Sequence, residues 1–150
     1  MALRASAMIA APAGQLWELI SDWAGMLRWW PTAGPQTRPG AVLAGCELIG
    51  SPGAVPRTRR MTLGDGTVAE ETVVYQNDQM RRLSYTKKDD RAITGYVAST
   101  YVEDLSGQGS AVHLSSMFDV TDPANEAAAA ARFEAVYATM FDGYARYFAG

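Results

Sequence analysis

Short connections between residues 41 and 120 constrain the fold more than any other feature of this sequence. Six runs typical of strands occupy the stretch, at 41–50, 56–63, 67–76, 81–88, 94–105 and 110–120. The segments between them are at most five residues long, and "GDG" and "ND" are typical of hairpin turns. Because a parallel crossover needs about a dozen residues or more, the sequence predicts an antiparallel sheet.

The residues before this stretch combine one strand with two short helices. Residues 3–10 favour a strand over a signal peptide, the other interpretation of their weak apolar pattern. Pro12 suits the first turn of a helix, whose apolar face consists of Leu16, Leu19, Ile20 and Trp23. We expect a second short helix through "WAGMLRWW", capped by Asp22 and ended by Pro31, and then a loop over 31–40.

A long helix follows the last strand. Asp122 and Pro123 are typical of a helix start, and no proline interrupts the residues after them. Helical spacing aligns a broad apolar stripe of Phe133, Val136, Tyr137, Met140, Phe141, Tyr144 and Phe148. One apolar sheet face must be covered, and this helix is the only large element available to cover it. The sequence therefore predicts one α+β domain over residues 1–150, with a curved antiparallel sheet of about seven strands around the C-terminal helix.

Composition excludes several classes of function. Apolar residues make up 48% of the chain and charged residues 19%, and the net charge of −3 argues against general nucleic-acid binding. No run is long enough to span a membrane. One cysteine, Cys46, and one histidine, His113, exclude a Cys/His zinc site, and no motif suggests another metal. The lack of paired cysteines and of targeting signals favours the cytoplasm.

The order of elements and several motifs resemble the START-like helix-grip (SRPBCC) superfamily, in its polyketide cyclase/dehydrase-like branch. The matching pieces are "LWELISDWAGMLRWWP", "GAVPRTRRMTLGDGTVAEE", "RRLSYT" and the closing helix. The resemblance implies a helix-grip fold and an internal ligand pocket. It also maps the arginine, glutamate and tyrosine of such proteins to Arg59, Glu71 and Tyr85. The tryptophan that many relatives have in the last strand is replaced here by Leu114, so the resemblance implies a roomier pocket.

Strand alternation, aligned by this resemblance, predicts which side chains face the pocket. Arg59, Glu71 and Tyr85 form the expected catalytic group, because arginine across a strand pair satisfies a buried carboxylate. The alternative is a buried ion pair that only fixes the sheet. Ligand-binding residues are expected to be Tyr75, Tyr96, Leu114 and Ser116 from the sheet, with Tyr137, Met140 and Tyr144 from the helix. His113 is expected on the opposite face.

Adjacent tryptophans at positions 29 and 30 cannot both face one core, because neighbouring helical side chains diverge by about 100°. We expect Leu27 and Trp29 to pack the short helix onto the domain. Trp30 would then line the mouth of the pocket and offer a flat surface to an aromatic ligand. The alternative is that both tryptophans only pack.

Two functions remain at this point. The first is a cofactor-independent acid–base enzyme, a cyclase, dehydratase or carbon–carbon lyase, acting on an aromatic or polyketide-like molecule without a metal. The second is a non-catalytic carrier or sensor of a small hydrophobic molecule. An internal arginine–glutamate pair with three tyrosines favours the enzyme, since an apolar carrier has little use for them. Relatives occur in several oligomeric states, so a homodimer stays open.

Overall fold

The fold is described from a computed structural model that covers residues 1–31 and 42–150. Its elements are β1 (Ala2–Ile9), α1 (Ala13–Ser21), a 3₁₀ turn (Met26–Arg28), β2 (Leu43–Ile49), β3 (Arg57–Leu63), β4 (Val68–Asn77), β5 (Arg82–Lys87), β6 (Ile93–Asp104), β7 (Ser110–Val120), a second 3₁₀ turn (Pro123–Asn125) and α2 (Glu126–Ala149). The loop predicted at 31–40 lies, from residue 32 onward, outside the described residues.

The strands form one antiparallel sheet in the order β1-β7-β6-β5-β4-β3-β2. Strands β2 to β7 pair in sequence order as the short connections predicted, and β1 pairs with the last strand, β7. The α+β fold with seven strands and a long C-terminal helix is confirmed. Among the described residues, no helix has both the length and the apolar character needed to cross a membrane.

Helix α1 begins one residue after Pro12 and buries Leu16, Leu19 and Ile20, as its apolar spacing predicted. The second helix is reduced to one 3₁₀ turn, so its predicted length was wrong. Asp22 does not cap this turn, because its carboxylate instead accepts a hydrogen bond from Arg28 Nη1 at 3.0 Å.

A β-bulge in β4 reverses the alternation of the strand halfway along it. Val73 lies opposite Tyr85, but Tyr75 lies opposite Ser84, so β4 contains one extra residue, Val74. Residues before the bulge keep the predicted orientation. After the bulge, Tyr75 points to the outer face and is 47% exposed. The prediction that Tyr75 faces the interior was therefore wrong.

Helix α2 covers the inner face of the sheet. Asp122 accepts a hydrogen bond from the Ala124 N–H, which confirms the predicted start of the element. The apolar stripe packs as its spacing predicted: Phe133, Tyr137, Met140, Phe141 and Tyr144 are buried, and Val136 and Phe148 are half-buried.

The central strands alternate as predicted. Tyr96, Ala98, Thr100 and Val102 of β6 and Val112, Leu114, Ser116 and Phe118 of β7 are buried on the inner face. His113 lies on the opposite face, between Ser6 and Glu103, as expected. The interior between the sheet and α2 therefore contains the side chains that strand alternation assigned to it, apart from Tyr75.

Candidate functional site

A largely buried ion pair joins β3 and β4 at the inner face. The register places Arg59 directly opposite Glu71. Arg59 Nε lies 2.9 Å and Nη2 2.7 Å from Glu71 Oε1. The exposed fractions of the side chains are 4% for Arg59 and 15% for Glu71. Two charges are thus held in the interior by direct contact, as the sequence predicted from their positions on neighbouring strands.

Trp23 holds this ion pair from the side of α1, a role that the sequence analysis missed. Its ring centroid lies 3.7 Å from the guanidinium carbon of Arg59. Its indole Nε1 donates to the main-chain oxygen of Glu71 at 3.0 Å. Helical spacing assigned Trp23 to the apolar face of α1, but the helix ends at Ser21. The segment "LWELISDWAGMLRWWP", part of the family resemblance, was the signal that included this position.

Tyr85 completes the group on the next strand. Its ring centroid lies 5.1 Å from that of Trp23 and 6.0 Å from the guanidinium carbon of Arg59. Burial raises the pKa of Tyr85 well above its ordinary value, and the negative charge of Glu71 adds to this effect. Tyr85 is therefore a neutral phenol at physiological pH and is able to donate a hydrogen bond.

Tyr144, on α2, lies near the same charged pair. It is buried, and burial raises its pKa above the ordinary value while the nearby charge of Arg59 opposes that effect. Burial also lowers the pKa of Arg59, but the carboxylate of Glu71 and the phenols of Tyr85 and Tyr144 together outweigh burial, so the pKa of Arg59 lies above its ordinary value. Arg59 remains a cation here. We call Trp23, Arg59, Glu71, Tyr85 and Tyr144 the Arg59 cluster.

A chain of hydroxyl groups lies beside the cluster. Tyr137 Oη donates to Ser116 Oγ at 2.6 Å. Because this uses the one proton of Tyr137, the hydroxyl of Tyr96 donates to Tyr137, at 2.7 Å. Burial raises the pKa of Tyr96 and of Tyr137. The ring of Tyr96 lies 6.1 Å from that of Tyr85, so the chain adjoins the Arg59 cluster.

Leu114 and Met140, the remaining apolar residues predicted at the pocket, are buried in the same core as these rings. Ring contacts also surround Tyr96, whose centroid lies 5.0 Å from that of Phe133 and 5.8 Å from that of Phe118. This end of the interior is therefore closely packed by side chains.

The two adjacent tryptophans diverge, as the sequence predicted. Trp29 is 6% exposed and packs against Tyr144, with ring centroids 4.7 Å apart. Its indole Nε1 is buried and has no hydrogen-bond partner among the described residues. Trp30 is half-buried at the edge of Trp29, with centroids 5.9 Å apart. The expectation for Leu27 was wrong: its side chain is 52% exposed, and Met26 makes the buried contact instead.

Two clefts lie outside this interior. The larger, about 710 Å³, is on the outer face of the sheet, and its lining includes Tyr75 and three inner-face residues, Leu83, Thr100 and Leu114. The smaller, about 480 Å³, adjoins the first turn of α1 and the turn between β6 and β7. Within residues 1–31 and 42–150, no three acidic, cysteine or histidine side chains are grouped to hold a metal ion.

Several solved structures share this fold. A protein from Bacillus thuringiensis is 18% identical, with a TM-score of 0.81 and full coverage of both chains. Norcoclaurine synthase from Thalictrum flavum, in complex with dopamine and hydroxybenzaldehyde, is 18% identical, with a TM-score of 0.72 over 97% of this chain and 84% of the synthase chain. The di-domain ARO/CYC protein BexL is 12% identical, with a TM-score of 0.79 over 99% of this chain and 46% of BexL.

Sequence comparison gives the family. No curated protein sequence matches the chain. The family model described as polyketide cyclase/dehydrase and lipid transport matches residues 2–149, nearly the whole chain. This match and the shared fold confirm the predicted helix-grip branch. The chain belongs to the polyketide cyclase/dehydrase and lipid transport family.

Proposed function

We propose that this protein is a cofactor-independent acid–base enzyme that acts on a small aromatic or polyketide-like molecule bound beside the Arg59 cluster. The reaction class is that of a cyclase, dehydratase or carbon–carbon lyase. One observation carries the proposal: a buried arginine–glutamate pair lies against a tryptophan ring and a neutral phenol at one place in the interior. Membership of the polyketide cyclase/dehydrase family supports it.

Each member of the cluster has a role in the proposed chemistry. Glu71 takes a proton from carbon or oxygen of the ligand and returns it, which contributes about 10²–10⁴-fold to the rate. Arg59 and Tyr85 stabilise the oxyanion that forms when the proton leaves, Arg59 by its charge and Tyr85 as a hydrogen-bond donor. Both contacts of the ion pair use Oε1 of Glu71, so Oε2 takes no part in them.

Trp29 supports a ligand beside the Arg59 cluster. A buried N–H without a partner costs about 1–3 kcal/mol, so an oxygen that accepts from Trp29 Nε1 is favoured. Trp29 packs on Tyr144, which belongs to the Arg59 cluster. We place the ligand oxygen between these groups, with Trp30 at the mouth.

Hydrogen exchange on a ketone tests the proposed chemistry without knowledge of the natural substrate. Hydroxyacetophenone is similar to the hydroxybenzaldehyde in the norcoclaurine synthase complex, and its methyl protons, next to the carbonyl, are exchangeable. We expect the protein to accelerate deuterium exchange at this methyl group, measured by ¹H NMR in D₂O. Glu71→Gln should slow the catalysed exchange by about 10²–10⁴-fold, with the dissociation constant for the ketone nearly unchanged.

Glu70→Gln is the matched control, because Glu70 is the neighbour of Glu71 on the outer face and pairs with Arg60 at 3.0 Å. This variant should exchange the ketone at the wild-type rate. If Glu71→Gln exchanges the ketone as fast as Glu70→Gln does, the assigned role of Glu71 is wrong.

The alternative function, a carrier or sensor, is supported by a different observation. The hydroxyls of Tyr96, Tyr137 and Ser116 already satisfy one another, and Arg59 already satisfies Glu71. Such paired groups hold a ligand by shape and ring contact without reacting. A carrier would bind hydroxyacetophenone, leave its exchange rate at that of buffer, and release it unchanged.

A further inference from the structure

The outer face of the sheet contains a cleft that plays no part in the proposed acid–base chemistry. Its volume is about 710 Å³, and its lining comes from β1, β4, β5, β6 and β7 and from the turn before β5. Apart from Leu83, Thr100 and Leu114, whose side chains are buried on the inner face, the side chains of this lining alternate away from α2 and lie on the opposite side of the sheet from the Arg59 cluster. A ligand in this cleft would not contact the interior ion pair.

Positive charge in this cleft is not neutralised by direct contacts. Arg4 and Arg82 line it, and no aspartate or glutamate does. Neither guanidinium forms an ion pair within the part of the chain that the structure describes. Arg82 lies over the ring of Tyr101 instead, 4.4 Å from its centroid. Two such cations lining one cleft favour the binding of an anion in it.

The carboxylate of Glu103, on the same outer face, is committed elsewhere. Glu103 Oε1 lies 2.9 Å from His113 Nε2, and His113 Nδ1 lies 2.8 Å from Ser6 Oγ. A carboxylate only accepts hydrogen bonds, so Nε2 carries the proton, and in the neutral imidazole Nδ1 accepts from the Ser6 hydroxyl. This arrangement uses the polar atoms of the histidine and leaves the arginines as the charged donors of the cleft.

Flat surfaces in the cleft suit an aromatic ligand. The ring of Tyr101 stacks on that of His113, with centroids 5.8 Å apart and planes inclined by 19°. Tyr75, which the bulge in β4 turns outward, is 47% exposed in the same cleft. A hydrogen-bonded pair of hydroxyls, Ser84 and Ser99 at 2.7 Å, supplies further polar atoms.

We propose that this cleft is a second binding site, for a small aromatic anion whose carboxylate or phosphate is held by Arg4 and Arg82 and whose ring lies against Tyr75 and the edge of Tyr101. The proposal is independent of the reaction assigned to the interior. Binding requires both the anionic group and the aromatic ring of the ligand. A neutral aromatic molecule of the same shape should therefore bind poorly.

Titration of the ¹⁵N-labelled protein with benzoate and with phenyl phosphate, followed by NMR, tests the proposal. We expect saturable shifts at outer-face residues such as Ser6, Tyr101 and His113, and at least about 10-fold weaker binding of neutral benzamide. The tighter of the two anions identifies the anionic group. Arg4→Gln and Arg82→Gln should each weaken the binding of that anion by about 10-fold, the usual effect of losing one charge-assisted hydrogen bond.

Arg146→Gln is the matched control. Arg146 is exposed on α2, on the other side of the sheet, and pairs with Asp142 at 3.0 Å. This variant should bind the anions as the wild type does. The proposal is overturned if neither anion gives saturable shifts, if benzamide binds equally well, or if the double variant Arg4→Gln/Arg82→Gln retains full affinity. Shifts confined to Tyr85, Tyr144 and their neighbours would also overturn it, while supporting a ligand in the interior.

Discussion

Arg59 links more of the candidate site than any other single residue. It contacts Glu71 by an ion pair, Trp23 by its guanidinium face and the main-chain oxygen of Trp23 by Nη1 at 3.4 Å. Removing one partner of a buried pair leaves an uncompensated charge and costs about 3–5 kcal/mol. Glutamine at position 71 keeps an oxygen for Arg59, which is why Glu71→Gln separates chemistry from folding better than alanine would.

Asp90 performs a structural task at a half-buried position. Its carboxylate accepts hydrogen bonds from Arg132 at 2.8 Å, from Lys87 at 3.1 Å and from the main-chain N–H groups of Ala92 and Ile93. Partial burial raises the pKa of Asp90, but these hydrogen bonds outweigh it, so the pKa lies below its ordinary value of 3.8. Asp90 thereby ties the loop after β5 to α2.

A depressed carboxylate pKa makes this contribution to stability depend on pH. A group whose pKa is lower in the folded state stabilises the protein above its unfolded pKa and loses that effect as the pH falls through the folded value. Asp90→Asn should therefore reduce the free energy of unfolding by about 1–3 kcal/mol near pH 7, and by progressively less below about pH 4. Urea unfolding of both proteins across this range measures the difference.

Asp119→Asn provides the comparison, because Asp119 is exposed on the outer face of β7. Its free energy of unfolding should follow that of the wild type at every pH. If Asp90→Asn lowers the free energy of unfolding equally at pH 3 and pH 7, the stabilisation does not come from the charge of the Asp90 carboxylate.

Helix α2 approaches the turn after α1 closely at Gly143. A Cβ built on Gly143 meets the main-chain oxygen of Trp29 and lies 3.2 Å from its ring atom Cε3. Glycine is therefore required by packing at a helical position where propensity favours alanine by about 1 kcal/mol. This contact holds Trp29 against Tyr144 and so positions one wall of the Arg59 cluster.

Gly143→Ala should lower the free energy of unfolding by about 1–2 kcal/mol, because the clash exceeds the gain in helix propensity. Gly14→Ala in α1 is the matched change, since nothing lies within 4 Å of its added Cβ. We expect this second variant to be stabilised by up to about 1 kcal/mol in the same urea unfolding measurement. Stabilisation of both variants would show that the approach of Trp29 to α2 is looser than described.

Elements with regular periodicity were predictable from the sequence, and the irregular ones were not. Alternation placed Arg59, Glu71 and Tyr85 on the inner face because β3, β5 and the first half of β4 are regular where these residues lie. Alternation gave the wrong face for Tyr75 because the bulge in β4 shifts the strand by one residue. The local sequence barely distinguishes a bulged pairing from a regular one. Trp23 was missed because it follows the end of α1, where helical spacing no longer applies.

At the scale of the whole molecule, one sheet separates two candidate sites of different chemistry. The inner face and α2 enclose an ion pair among aromatic rings, and the outer face presents two arginines to solvent. The curvature that lets the sheet cover α2 is helped by register shifts in β2, β4 and β6, which bend the strands. Strands β4 and β5 supply residues to both sites, Glu71 and Tyr85 to the inner one and Tyr75 and Arg82 to the outer one.

The location of a bound aromatic ketone tests the central claim most directly. Intermolecular nuclear Overhauser effects between hydroxyacetophenone and the labelled protein identify the side chains within about 5 Å of the ligand. We predict contacts to the rings of Trp23, Tyr85 and Tyr144 in the interior. Contacts restricted to Tyr75 and Tyr101 on the outer face, or no contacts at saturating ketone, would contradict a ligand site at the Arg59 cluster.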